Sequence, residues 1–317
     1  MKNLAIVFIL LFSSVFLINC DPEPNPSYPV VSRESKIPDD VTKRDSASDN
    51  HPPIMHSSEF EKPVALAQTV NTAGAEDSPF ITADGQSLYF FLTPDVRILP
   101  EKQLLDSVTG VWLSKKENNV WTKAERVWLQ DVVKLALDGA VCVQNNEMWF
   151  ASAREGFTGV NMFTAENISG KWKNWTYCGD KLMKNFEIGE VHLHGDDLYF
   201  HSGRNGGKGN YDIWVSTRTD TSWSDPIAID SVNTSEIDGF PYITPNGNEL
   251  WFTRTYLRTP AIYRSKRVNN KWSFPELIVS QFAGEPTLDN EGNLYFVHHY
   301  FENSVMIEAD IYRAKKK

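Results

Sequence analysis

One pattern recurs five times between residue 77 and the C-terminus, and it restricts the fold more than any other feature of the chain. Each copy opens with an apolar strand, carrying Pro79-Phe80-Ile81, Val141-Cys142-Val143, Val191-His192-Leu193, Pro241-Tyr242-Ile243 and Pro286-Thr287-Leu288. Turn segments follow at Ala83 to Gln86, Gln144 to Glu147, Gly195 to Asp197, Pro245 to Asn248 and Asp289 to Gly292. They are rich in the Asn, Asp and Gly that tight hairpins require. The second strand is more uniform: Leu88-Tyr89-Phe90, Met148-Trp149-Phe150, Leu198-Tyr199-Phe200, Leu250-Trp251-Phe252 and Leu294-Tyr295-Phe296. Unbroken runs of this kind read as strands buried on both faces. A third strand carries Val111-Trp112, Met162-Phe163, Ile213-Trp214, Ile262-Tyr263 and Ile311-Tyr312. Nine residues beyond its aromatic, four copies place Trp121, Trp172, Trp223 and Trp272, which predicts a short hairpin leading into a fourth strand.

The fifth copy ends after its third strand, at Lys317. The N-terminal side supplies a match, because Phe60-Glu61-Lys62-Pro63 repeats the spacing of Trp223-Ser224-Asp225-Pro226 and Trp272-Ser273-Phe274-Pro275. A strand from one end completing a unit begun at the other removes an exposed edge. The expected fold is therefore all-β: a five-bladed β-propeller of four-stranded antiparallel blades over residues 59–317, closed by an N-terminal strand in the last blade. Most of the ten tryptophans fall on repeat positions and are expected in the core, with Trp128 and Trp175 off the pattern.

The stretch Phe200-His201-Ser202-Gly203-Arg204-Asn205-Gly206-Gly207-Lys208-Gly209-Asn210-Tyr211-Asp212-Ile213-Trp214 resembles the signature of WD-like β-propeller repeats in TolB-type periplasmic proteins. Phe150-Ala151-Ser152-Ala153-Arg154-Glu155-Gly156 is a weaker version, and the Pro-x-Ile-Thr-x-(Asp/Asn)-Gly turns of the first and fourth copies are also similar. The resemblance spans about residues 59 to 317 and implies scaffolding or binding at the envelope more than catalysis. A shared fold does not by itself assign a function.

Loop lengths point to one face. Connections from the first to the second strand and from the third to the fourth are short, whereas those from the second to the third are long, as are those between blades. The two long classes emerge together in an up-and-down blade, and functional side chains concentrate in such loops. Near that face, at the start of the inner strands, stand Asp77, Asp138, Glu190, Asp238 and Glu285, one per copy. They are expected to ring the central channel. The long loops add Arg154, Arg204, Arg254, His201, His298 and His299 as further binding candidates. The competing expectation is structural, with Asp138 and Asp238 as turn formers and the arginines tying blades together.

Residues 1–19 read as an export signal, with Lys2 ahead of an apolar run that is too short to span a membrane as a mature helix. Leu17-Ile18-Asn19-Cys20 resembles a bacterial lipobox, which implies lipidation of Cys20. Residues 20–58 are rich in Pro, Ser, Asp and Lys and are expected to be a disordered tether. The expected location is the cell envelope, lipid-anchored, in the periplasm or on the outer surface. A formal charge of −10 argues against nucleic acid or anionic lipid as partners. Cys142 and Cys178 are expected to be buried free thiols, and no spacing suggests a zinc site or a cofactor.

Three function classes remain. A monomeric binding module would present the long-loop face to an envelope protein or glycan. A glycoside hydrolase would use Glu190 and Glu285 with Asp138 or Asp77, and needs two carboxyls about 5 to 9.5 Å apart, one of raised pKa. A rigid scaffold would need no pocket there. No Ser-His-Asp pattern, phosphate loop or helical metal motif is present.

Overall fold

The computed structural model describes residues 27–317. The stretch expected to be an export signal, and Cys20, lie outside these residues. From residue 75 onward the strands pair antiparallel in meanders of four, taken in chain order. The first uses Ala75–Ile81, Ser87–Thr93, Gly110–Glu117 and Glu125–Arg126, and the second Ala136–Gln144, Glu147–Arg154, Asn161–Ile168 and Lys171–Tyr177. The third uses Val191–His194, Asp197–Ser202, Asp212–Thr217 and Ile227–Ala228. The fourth uses Asp238–Ile243, Glu249–Tyr256, Thr259–Val268 and Glu276–Ser280. The last runs through Ala283–Leu288, Leu294–Glu302 and Val305–Ala314. The architecture is all-β and of the β-propeller type.

Local chemistry sets the inner hairpins. In the first meander Asp84 Oδ1 accepts from the Thr82 hydroxyl at 2.6 Å and from Gln86 N at 3.0 Å, and Gly85 takes the left-handed conformation the turn needs. Thr244, Asn246, Gly247 and Asn248 repeat that turn in the fourth meander. The second strands are buried on both faces, as their unbroken apolar runs require: Leu88, Phe90, Leu198, Phe200, Leu250 and Phe252 on one face are each 1% exposed or less, and Tyr89, Tyr199 and Trp251 on the other 6% or less.

The tryptophan nine residues past the third-strand aromatic, or Phe60 in the last meander, packs on the second-strand aromatic of the preceding meander. Trp172 Nε1 donates to the Tyr89 hydroxyl at 3.3 Å. Trp223 lies edge-on to Trp149 at 5.9 Å, Trp272 joins the cluster that holds Tyr199, and Phe60 lies edge-on to Trp251 at 5.8 Å. Trp121 of the first meander then meets Tyr295 of the last at 6.4 Å. The series of contacts returns to its start. Phe60 therefore stands where four other copies have tryptophan, and the strand Val64–Ala65 pairs with Arg313 and Tyr312 as the fourth strand of the last meander. Without it, the strand ending at Ala314 would present a free edge.

The expectation of a disordered tether through residue 58 needs correction for residues 27–58, which lie against the body. Tyr28 stacks on Trp128 at 5.2 Å. The buried Arg33 guanidinium donates to the carbonyls of Val70 and Thr69 and sits 3.7 Å from Glu76. Lys43 pairs with Glu308 and Asp310, and Asp49 with His298. Ile54–Met55 then adds an antiparallel strand to the outer edge of Glu276–Ser280. Composition suggested a coil because the segment has no periodic apolar face. It is held instead by a few buried charges and backbone pairing, which hydropathy does not register. Cys142 is buried and unpaired as expected, whereas Cys178 is only partly buried.

Candidate functional site

The acids expected to form one ring occupy three different registers of the inner strands. Asp138 lies opposite Ser152 and Asp238 opposite Arg254, and the equivalent place in the first meander, opposite Leu92, belongs to Glu76. These three are fully buried and face inward between meanders rather than into the channel. Arg154 reaches Asp138 at 2.8 Å, and Arg254 reaches Asp238 at 2.6 Å. Arg33 plays the corresponding part for Glu76. Arg154 and Arg254 therefore pair locally with buried acids of their own meanders, whereas Asp138 and Asp238 lie within strands and are not turn formers.

Glu76 was missed by sequence reasoning, although a signal existed. Val70-Asn71-Thr72 precedes Glu76 by the spacing with which Val232-Asn233-Thr234 precedes Asp238. Both threonines hold the acid with backbone N–H and hydroxyl, Thr72 on Glu76 at 2.8 and 2.6 Å and Thr234 on Asp238 at 2.7 and 2.8 Å. Both asparagines clamp a third strand: Asn71 bonds Ile311 N and O at 3.0 Å each, and Asn233 bonds Ile213 N and O at 2.8 and 2.9 Å. The motif is a fastener at the meander boundaries.

Glu190 and Glu285 share a different register with Ser78, Ala140 and Phe240, one residue before the Val or Pro of each inner strand. Ser78, Ala140, Phe240 and Glu285 all have left-handed backbone, with φ of 45°, 46°, 54° and 54°. A shift in the ladder beside each one marks a bulge. Bulges of this kind re-aim side chains near sites, and a non-glycine residue in this conformation is strained. All five residues line one cavity of about 50 Å3 on the axis, room for a few ordered waters or one protruding polar group.

Asp77, adjacent to this register, completes the cluster. Its Oδ1 accepts from Ser78 N at 2.8 Å, and its Oδ2 lies 3.6 Å from His299 Nε2. Thr253 fixes Glu285 from the neighbouring meander, its hydroxyl accepting from Glu285 N at 2.8 Å. Crowding by protein raises Glu190 to about 8, helped by the charge of Asp77. The same burial, with Asp77 and Glu190 nearby, lifts Glu285 well above the usual carboxyl range. Burial opposes charge on Asp77 as well, yet His299 and the Ser78 amide hold it below its ordinary value. His299 in turn is raised: Asp77 outweighs the burial that would lower it. Glu285 Oε2 is buried without a hydrogen-bond partner. No arginine is paired with Asp77, Glu190 or Glu285 among the described residues.

The remaining candidates lie apart. His201 is wedged between Gly189 and Gly239, accepts from Phe240 N at 3.3 Å, and burial lowers it to about 4, so it is a neutral spacer. His298 is buried under the N-terminal segment by its 3.0 Å contact with Asp49. Arg204 lies over the Phe186 and Trp214 rings at 5.5 and 4.9 Å, and the neighbouring Asp212 accepts from Lys208 N and Gly209 N. The signature-like stretch thus builds a loop rather than a site.

Below the cavity one register contributes Phe80, Cys142, His192, Tyr242 and Thr287. His192 lies 4.5 Å from Tyr242 and 6.2 Å from Phe80, ring centre to ring centre. These side chains separate the acid cavity from a wider bowl on the short-turn face, lined by Asp84, Asn145, His194 and Asn290. Among the described residues, no group of three or more His, Cys, Asp or Glu is arranged to hold a metal ion.

No family model matches the chain, and no curated protein matches it. Among solved structures it is similar to an endo-arabinase from Bacteroides thetaiotaomicron, at 13% identity and TM-score 0.49, over 78% of this chain and 95% of that one. It is also similar to TolB from Acinetobacter baumannii, at 11% identity and TM-score 0.44, over 89% and 66% of the two chains. A gluconolactonase, XC5397 from Xanthomonas campestris, stands at 8% identity and TM-score 0.44, over 84% and 95%. Likenesses this remote carry nothing about activity.

Proposed function

We propose that the chain is an exported, lipid-anchored five-bladed β-propeller of the bacterial envelope that binds a glycan at the axial mouth of its long-loop face. The observation that carries the binding site is the cavity shared by Glu190 and Glu285, with Asp77 beside them and no arginine to neutralise them. A sugar offers hydroxyls that both donate and accept. Protonated Glu190 and Glu285 supply donors, and ionised Asp77 an acceptor. The lipobox-like Leu17 to Cys20 supports the anchor, and the stretch from Phe200 to Trp214 supports a place among TolB-like propellers.

The split in proton affinity favours one second reading, hydrolysis of a glycosidic bond. Two carboxyls of opposite protonation state beside one cavity are what an acid and a base or nucleophile require. One experiment separates the two readings. Envelope glycan fragments are titrated calorimetrically into wild type, Glu190→Gln, Glu285→Gln and Asp77→Ala, and released reducing ends are assayed in parallel. For a binding module, the Gln variants, which keep a donor, bind within a few-fold of wild type, Asp77→Ala loses tenfold or more, and no reducing ends appear. For a hydrolase, Glu285→Gln binds but loses turnover by roughly 10²- to 10⁴-fold. Ligand binding that survives Glu190→Ala together with Glu285→Ala overturns both.

A further inference from the structure

The N-terminal chain enters the body beside a group of exposed apolar side chains. Tyr28 stacks on Trp128 and its hydroxyl bonds the Gln130 carbonyl, which places Val30 next to the connection between the first two meanders. That connection bonds the next long loop, because Leu135 O accepts from Glu155 N at 3.2 Å and Lys134 pairs with Glu155 at 3.2 Å. Across these adjoining loops Val30, Val133 and Val160 are 103, 89 and 64% exposed, with Leu135 and Phe157 at 39 and 40%. Other exposed apolar residues are Ile98, Leu99 and Leu105 in the long loop of the first meander, Leu257 in that of the fourth, and Val120, Val268 and Phe274 on the opposite side. Scattered residues need no explanation, whereas a contiguous group marks a contact surface.

Chain length identifies the contact. Cys20 stands only eight residues before Tyr28, so Cys20 lies within about 28 Å of Tyr28 even if the intervening chain is fully extended. We propose that the loops 130–135 and 155–160, with Val30, rest on the lipid surface and orient the long-loop face toward the membrane. This rests on the lipid anchor proposed above. A single lipid signal holds a protein weakly, and a small apolar patch tethered beside it acts at high effective concentration.

The test makes the anchor by chemistry, so that it does not depend on natural lipidation. A chain beginning at Cys20 and carrying Cys178→Ser is coupled through Cys20 to maleimide-lipid vesicles. Its hydrogen exchange is compared with that of the same chain capped by N-ethylmaleimide and mixed with plain vesicles. Exchange should slow several-fold at 130–135 and 155–160 in the coupled protein and stay unchanged at 118–120 and 269–274. Val133→Asp with Phe157→Asp should abolish the protection while coupling persists. Equal exchange in both samples, or protection of the opposite hairpins, overturns the proposal and leaves the patch to a protein partner. Whether the native protein carries lipid on Cys20 is read separately from its mass.

Discussion

Glu190 and Glu285 show how one inner-strand register differs from the next. Sequence spacing placed both at the channel, and both line the axial cavity. It also drew in Asp138 and Asp238, because acids two residues apart in register look alike when a bulge shifts the ladder between them. The bulged residues Ser78, Ala140, Phe240 and Glu285 are not themselves glycine, so the available sign of the shift was indirect: Gly139, Gly239 and Gly284 immediately precede three of them. Proton affinity gives the cluster a measurable signature. Because burial raises Glu190 to about 8 and Glu285 well above its ordinary value, the folded state holds protons that the unfolded chain, with carboxyls near 4.5, has already released. Stability contributed by these groups is full below about pH 4.5 and declines as pH rises toward 8. Urea midpoints should fall from pH 5 to pH 8, and Glu190→Gln should flatten part of that slope and exceed wild type at pH 8.

At the scale of elements, the repeat strands were legible because their burial is written in unbroken apolar triplets such as Leu198-Tyr199-Phe200. Residues 27–58 were not, because single charged groups hold them. Arg33 is 1% exposed and has Val70 O, Thr69 O and Glu76 as partners, all of which lose it together. Arg33→Ala should lower stability by about 3 kcal/mol, the order of cost for stranding buried polar partners. Denaturant titration measures this, and limited proteolysis should then cut first between residues 34 and 53.

For the whole molecule, the match of Phe60 to the tryptophans foretold how the two ends meet, and the aromatic contact series bears the weight of that join. Removing residues 59–66 should free the edge of Val305–Ala314, and light scattering should show association in place of a monodisperse species. A peptide of the missing sequence should reverse it. The side chains at Phe80, His192 and Tyr242 have a consequence for what the axis accepts. With their rings buried across it, the axis is a blind socket and not a conduit. A polymer cannot thread through, so whatever enters the acid cavity must offer a terminus or a protruding branch and must leave by the way it came.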